Sequence, residues 1–415
     1  MRLLFVTTND YPFHGTCSNL INMVILESGL IHKVDKVTVV SGKSSFFDDT
    51  YDTYQGINIF RANTWSLYKK EELKRVFLCR KLEAIIGLII KLIKYTETHF
   101  LWFRFFDTCL SSSLYKALKK TNARDADIII AVSGRYEATE AALKYAQKYR
   151  KPLIIYQVDP CATNLALSKK SYKQRLKFEK KVFSYASSII TMPIIYNDLQ
   201  LYLDKLLLQK INVADLPLII RPKYDNKRCL NNKIVCLFAG SIYGGIRNPE
   251  YTLRIFEKIV NEEIEFHMVG VNVEQIPQKY RRYVKCYGIV SNEEARRLIQ
   301  EEADILINIG NRNINQVPSK IFEYMSTGKP IINICKSINC STIEYFSRYP
   351  LAINVFEEEK DVLTKSQEIV SFIRKNKDNR VPFEVVASSL EKNTPKYVSQ
   401  QLLQIAINIK NQEEI

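Results

Sequence analysis

The sequence predicts an α/β protein built from two tandem, doubly wound domains, each a parallel sheet with helices on both faces. Short apolar runs alternate with helix-length amphipathic segments from end to end, the pattern of a sheet covered on both sides. A polar, proline-marked stretch from Leu216 to Lys233 interrupts that alternation, which then begins again. The chain has 415 residues, 46% of them apolar and 25% charged, too many for one ordinary core and enough for two domains of roughly 200 residues each.

In the first half, strands are expected at Leu3 to Thr7, Lys36 to Val40, Ile57 to Arg61, Asp127 to Val132, Leu153 to Val158 and Ser188 to Met192, with helices at 136–149 and 170–185 among the connections. No Asn-Gly hairpin joins these runs, and most connections are long enough for crossover helices, so parallel order is expected. In the second half, strands are expected at Ile234 to Ala239, Glu265 to Val269, Val284 to Gly288, Asp304 to Ile309, Pro330 to Ile334 and Ala352 to Val355. Helices at 249–261, 291–301, 318–327 and 361–375 separate them. The division is therefore 1–216, a linker at 217–232 and 233–395, with a terminal helix at about 396–412 that packs back on the first domain. Such sheets bind ligands at their strand C-termini, which are expected to face each other across a cleft.

Composition excludes several classes. With 13 Gly, 13 Pro and no low-complexity tract, the chain is neither collagenous nor disordered. The apolar start, Met1 to Thr8, is too short for a signal-peptide core, so the protein is expected in the cytoplasm. The nine cysteines are odd in number and contain no Cys-x-x-Cys pair; they read as reduced thiols, neither a disulfide framework nor a zinc site. His32, His99 and His267 have no metal-ligand spacing and no Asp-x-Asp follows a strand, so no metal is expected. The absence of a Walker motif or a dinucleotide fingerprint weakens ATPase and dehydrogenase readings.

The charge is uneven. Residues 1–230 hold 36 Lys and Arg against 21 Asp and Glu, a balance of +15, whereas the remainder holds 24 against 23, a balance of +1. A basic half beside a neutral one points to an anionic partner, although a solvated lysine-rich surface also accounts for it. The segment 67–106 interleaves Lys69, Lys70, Lys74 and Arg75 with aliphatic residues and the aromatic anchors Trp102 and Phe103. Its longest uncharged run is far below the ~20 residues a bilayer span needs. It is expected to lie on an anionic membrane surface, the alternative being a helix buried against the sheet.

The strongest local signal runs from Gln316 to Ile332. Pro318 suits the first turn of a helix, Ser319 and Lys320 stand at its N-terminal end, Gly328 ends it and Pro330 opens a strand. Amide groups at a helix start, with a lysine, favour a diphosphate. Glu323, one turn further on the same face, suits the two hydroxyls of a ribose. A capped surface helix is the simpler alternative.

This segment resembles the donor-binding segment of nucleotide-sugar glycosyltransferases of the two-domain GT-B type, and most closely glycosyltransferase family 4, which includes enzymes of bacterial capsule and lipopolysaccharide assembly. Asn9-Asp-Tyr-Pro-Phe-His-Gly15 resembles the loop after the family's first strand, and Phe238-Ala-Gly-Ser-Ile-Tyr-Gly-Gly-Ile-Arg247 the loop opening its donor domain. Phe266 to Gly270 and Tyr287 to Val290 resemble the next two strand ends, where the base is usually contacted. The resemblance implies a retaining hexosyltransferase that moves a sugar from a nucleoside-diphosphate donor, UDP favoured, to a saccharide or lipid-linked saccharide in surface polysaccharide synthesis. It implies no cofactor, and a peripheral position on the inner face of the cell membrane.

It implies Gly15, Ser241, Arg247, Ser319 and Lys320 at the donor diphosphate, Glu323 at the ribose, and Gly270, Tyr287 and Ile289 around the base. Asn315 stands where the family usually has the first of two glutamates and is expected at the transferred sugar. Asp159 ends the strand where many members carry a histidine, and is expected at the sugar or acceptor. Ser241 replaces a usual arginine, leaving Arg247 and Lys320 as the diphosphate cations. His14 is the only histidine in an expected site loop. The alternatives are a sugar-nucleotide epimerase of the same architecture and a glycosyltransferase-like binding protein without activity; nucleic acid is not an expected partner.

Overall fold

The structure, a computed structural model, describes residues 1–12, 15–43, 45, 48–63, 107–122, 125–134, 136–163, 171–224, 233–242, 247–314, 317–359 and 361–413. The expected membrane segment, with Lys69, Lys70, Lys74, Arg75, Trp102 and Phe103, lies outside them, as do His14 and Asn315. The chain forms two compact units, Met1–Pro217 together with Pro395–Ile415, and Leu218–Thr394.

Unit 1 contains β1 (Arg2–Asp10), β2 (Lys36–Gly42), β3 (Tyr51–Tyr54), β4 (Ile57–Ala62), β5 (Ile128–Ser133), β6 (Leu153–Gln157), β7 (Ser188–Thr191) and β8 (Ile211–Val213). Its helices are α1 (Thr16–Asn22), α2 (Thr108–Lys120), α3 (Tyr136–Tyr149), α4 (Tyr172–Tyr185), α5 (Pro193–Gln200) and α6 (Lys205–Leu208). The sheet order is β3-β4-β2-β1-β5-β6-β7-β8. Every residue of β5 and β6 is buried, as parallel strands covered on both faces require. The expectation of a wholly parallel sheet needs one correction, because β3 pairs antiparallel with β4. Gln55 and Gly56 close that hairpin with φ of 47° and 82°, a left-handed pair in which glutamine stands where asparagine is usual.

Unit 2 contains β9 (Ile234–Ala239), β10 (Ile264–Val269), β11 (Lys285–Cys286), β12 (Ile305–Ile309), β13 (Ile331–Cys335) and β14 (Ala352–Phe356). They form one sheet in the order β11-β10-β9-β12-β13-β14, with every pairing parallel. Its helices are α7 (Glu250–Ile259), α8 (Asn292–Arg297), α9 (Lys320–Ser326), α10 (Thr342–Phe346), α11 (Val362–Asn376) and α12 (Phe383–Ser389). Asn308, Asn333 and Asn354 are in register across three strands. Asn308 donates to Asn333 at 2.7 Å and Asn333 to Asn354 at 2.8 Å. A slip of one residue would leave these amides without partners in an apolar layer, so the ladder fixes register.

The last helix, α13 (Pro395–Glu413), belongs to unit 1. Its buried Val398, Leu402, Ala406 and Ile409 join Leu3, Phe5 and Val37 in one core layer, the spacing of a single helical stripe.

Lys329, between Gly328 and Pro330 of the strongest sequence signal, is structural. It is 1% exposed, and its amine donates to the carbonyls of Ile299, Gln300 and Ala303 at 2.9, 2.7 and 2.5 Å. These are the orphan acceptors at the end of the π-helical turn Leu298–Glu302 that follows α8. Lys329→Met keeps the apolar stem but strips three buried carbonyls of their donor. Equilibrium urea unfolding should show a loss of about 2–4 kcal/mol, and a loss below ~0.5 kcal/mol would remove this role.

Candidate functional site

In each doubly wound sheet, the strand order reverses direction at one place, and the backbone there opens a crevice beyond the strand C-termini. In unit 1 the reversal lies between β1 and β5, and in unit 2 between β9 and β12.

At the first reversal, β1 runs into Tyr11 and Pro12, joined by a cis peptide bond, and Gly15 precedes α1 with φ of 97°. This loop is tied down from three sides. Ser18 donates to the Asp10 carbonyl at 2.9 Å, Asn22 to the Pro12 carbonyl at 3.0 Å and Arg61 to the Tyr11 carbonyl at 3.0 Å. Arg61, only 4% exposed, also pairs with Asp10 at 3.2 Å and with Asp52 of the hairpin at 3.1 Å. After β5, Gly134 leaves no room for a side chain, since a Cβ there would lie 2.6 Å from the Cys17 sulfur and 3.8 Å from an Asp159 oxygen. Cys17, Gly134 and Asp159 are thereby gathered at one rim, with Gly15 two residues before Cys17. Asp159 keeps an exposed side, while the protein packed against its other side pushes its carboxyl upward. Burial, with the Asp159 charge second, pushes the Cys17 thiol up to about 11, so this cysteine stays protonated and is not a nucleophile.

At the second reversal the centre is Arg247. Its guanidinium donates to the Ser241 carbonyl at 3.3 Å, on the β9 side, and to Asn311 Oδ1 at 2.9 Å, on the β12 side. It lies 5.7 Å from the centre of the Phe238 ring. A Cβ on Gly240 would stand 2.9 Å from the guanidinium, so a larger residue there would displace it. Burial lowers the Arg247 pKa from its usual value, yet arginine stays charged under all ordinary conditions. Its Nε is buried without a hydrogen-bond partner.

Helix α9 is fastened beside this cation by Tyr324, whose phenol accepts from the Ala239 amide at 2.7 Å and donates to the Ala239 carbonyl at 3.2 Å. Ser319, Lys320 and Glu323 are thus carried next to the end of β9. The helix is shorter than 318–327, spanning Lys320–Ser326, and the Ser319 side chain makes no capping bond. Lys320 does not stand free for a diphosphate; it pairs with Glu323 Oε2 at 2.5 Å. Arg296 approaches the other oxygen at 3.9 Å, but Glu323 Oε1 has no hydrogen bond and is buried.

Gly270 follows β10 and packs on Gly240, where a Cβ would meet the Gly240 carbonyl at 3.0 Å. Ile289 is 78% exposed at the same rim. Tyr287 is held by its hydroxyl, which lies 3.3 Å from His267 Nδ1 and donates to Glu302 at 3.2 Å; its ring, not its hydroxyl, is what remains for a ligand. Sequence reasoning missed Tyr324 and Asn311 in this unit and Gly134 and Cys17 in the other. The glycines that end strands, Gly134 and Gly240, were the available signal.

No protein-family model and no curated protein matches the chain. Solved structures do. The lipopolysaccharide outer core galactosyltransferase WaaB in its apo form is 14% identical, with all of both chains covered and a TM-score of 0.54. Anabaena Alr3699/HepE in complex with UDP is 11% identical, covering 97% of this chain and 99% of that one, with a TM-score of 0.57. A glycosyltransferase from Rickettsia africae is 12% identical, covering 98% of each chain, with a TM-score of 0.57.

The chain has the GT-B fold.

Within this GT-B chain, the buried His267 beside Tyr287 is expected to make the stability of unit 2 sensitive to pH. His267 is 2% exposed, and burial lowers its pKa below the usual 6.5 despite the Glu265 carboxylate 2.9 Å from Nε2. The unfolded chain takes up a proton near pH 6.5 that the folded chain resists, so stability falls as pH drops from that value toward the folded pKa. Thermal unfolding between pH 7.5 and 5.5 should show this decline, and His267→Gln should flatten it; an unchanged slope would show that His267 does not titrate this way.

Proposed function

We propose that the chain is a glycosyltransferase of the family 4 kind, moving a hexose from a nucleoside diphosphate, UDP favoured, with retention of configuration. The acceptor is a saccharide or lipid-linked saccharide of a surface polysaccharide such as capsule or lipopolysaccharide, reached from the cytoplasmic face of the membrane. The observation that carries this reading is Arg247, a partly desolvated cation fixed across the strand reversal of unit 2 by Ser241 and Asn311. The HepE structures contain UDP or UDP-glucose, and the shared fold supports the same donor class here.

The chemistry is electrostatic. Negative charge grows on the diphosphate as the glycosidic bond breaks, and a cation already held in place stabilises it without reorganisation. Arg247 does this work, with Lys320 and the amides around Ser319 beside it. Engaging the diphosphate requires Lys320 to turn from Glu323 Oε2, a pair separated by only three residues. Glu323 Oε1, buried without a donor, accepts a ribose hydroxyl. Gly270, Ile289 and the Tyr287 ring border the base, Asn315 contacts the sugar, Asp159 serves the sugar or acceptor, and Gly15 allows close approach of the diphosphate. The departing phosphate takes the acceptor's proton, so no separate base is assigned, and transfer uses no metal or cofactor.

Titration calorimetry with UDP and UDP-sugars tests this reading. Arg247→Ala should weaken UDP binding about 10- to 100-fold, the value of a charge-assisted hydrogen-bond pair. Glu323→Ala should lower UDP affinity about tenfold and erase the preference for UDP over 2′-deoxy-UDP. Binding and turnover should survive a chelator. Failure of every nucleotide sugar to bind would overturn the donor assignment; binding without transfer would favour the inactive alternative, for which the amide at Asn315 is the sequence argument.

A further inference from the structure

The loop that carries Asp159 is gathered from both ends onto one buried carboxylate. Strand β6 ends at Gln157, and of residues 157–162 only Asp159 is exposed, with Pro160 half-buried. Glu179 of α4, 1% exposed, faces this loop from the protein interior. Its Oε1 accepts from Gln157 Nε2 at 3.0 Å and its Oε2 from the Tyr202 hydroxyl at 2.6 Å. The Ala162 amide and the Cys161 thiol donate to the same carboxylate. One group thus takes hydrogen bonds from the residue that opens the loop, from two that close it and from the segment after α5.

The backbone of the loop is pinned in the same sense. The Val158 amide donates to the Ser133 carbonyl at 3.3 Å and the Thr191 hydroxyl to the Gln157 carbonyl at 3.4 Å, which tie the start to β5 and β7. The Tyr136 hydroxyl donates to the Cys161 carbonyl, which ties the end to α3. None of these bonds is made by the Asp159 side chain, whose carboxylate is set by the course of the loop. A leucine at 179, beside the buried Val182 and Phe183 of the same helix, would avoid the several kcal/mol that burying a carboxylate costs. It could not draw donors from three parts of the chain to one point, and a satisfied polar network of that kind fixes a single conformation.

We propose that Glu179 is a positioning residue, which fixes the loop from Gln157 to Ala162 so that the Asp159 carboxylate stands in place for the sugar or acceptor. The inference rests on the reading of Asp159 given under the proposed function, and adds to it a residue that touches neither ligand and acts through the loop. A shift of about 1 Å in a group at the reacting centre is enough to cost ~100-fold in rate. Glu179→Gln keeps the size and one acceptor oxygen but places an NH2 group where the donors converge, so the loop loses its common anchor.

Hydrogen exchange and donor turnover test this together on the full chain. In Glu179→Gln, exchange across 157–163 should speed by about tenfold or more while β9 keeps its protection. Turnover is read as UDP release from UDP-glucose and UDP-galactose; kcat should fall ~10- to 100-fold, with UDP affinity and the KM for the UDP-sugar within about twofold of the parent chain. In an Asp159→Asn background the same substitution should change kcat by less than ~3-fold, because the group it positions is already gone. Gln157→Glu combined with Glu179→Gln exchanges acid and amide across one hydrogen bond, and should restore most of the protection and the rate. Tyr202→Phe removes one donor and leaves the carboxylate; it should show the same pattern at smaller size, and answers the question where Glu179→Gln does not fold. Unchanged exchange at 157–163, or an equal loss of kcat with and without Asp159, would overturn the proposal. A chain that binds no UDP, or releases none from either UDP-sugar, counts against the donor reading, and exchange at 157–163 then decides on Glu179 alone.

Discussion

The constraint on which the rest depends is the burial of parallel strands on both faces. A strand such as β5 or β9, with every residue buried, has no face left for polar work. Chemistry is pushed to the ends of the strands, where backbone groups leave the ladder and glycines let other segments approach. Both units obey this. Gly134 admits Cys17 and Asp159 in one, and Gly240 admits the Arg247 guanidinium in the other.

Buried cations in this protein do two different kinds of work, and their partners tell them apart. Lys329 is fully used, its three donors on three carbonyls, and it completes a helix end. Arg61 is likewise used by Asp10, Asp52 and the Tyr11 carbonyl to hold the loop before Gly15. Arg247 is held at two points and keeps a buried N–H without a partner. A charge whose desolvation has been met in part, and whose donors are not all engaged, is suited to an anion that comes and goes. Glu323 shows the same incompleteness from the acceptor side, with one oxygen on Lys320 and the other without a hydrogen bond.

Much of the fold class was legible because its signals are local. The run Ile234 to Ala239 reads as a buried strand and is β9, and Tyr136–Tyr149 has the helical pattern it shows in space. The hairpin of β3 and β4 escaped because its turn uses Gln55 and Gly56, with no asparagine to mark it. The three-residue β8 is too short to display a period. The candidate site stands out in the sequence as a stretch, Gln316 to Ile332, but not as an arrangement. Lysines at 320 and 329 look alike in sequence; one sits beside Glu323 and the other inside the core, because only the second meets the end of a helix nearly thirty residues earlier.

The sequence by itself determined the elements, the alternation that makes the sheets parallel and the residue types at the strand ends, since these follow from hydrophobic period and backbone freedom within a few neighbours. Tertiary structure alone decided which of those residues meet. Tyr324 reaches Ala239 and Arg247 reaches Asn311 across 85 and 64 positions of the chain. Such pairings come from strand order and from the close approach glycine permits, and neither is written in any local run of residues.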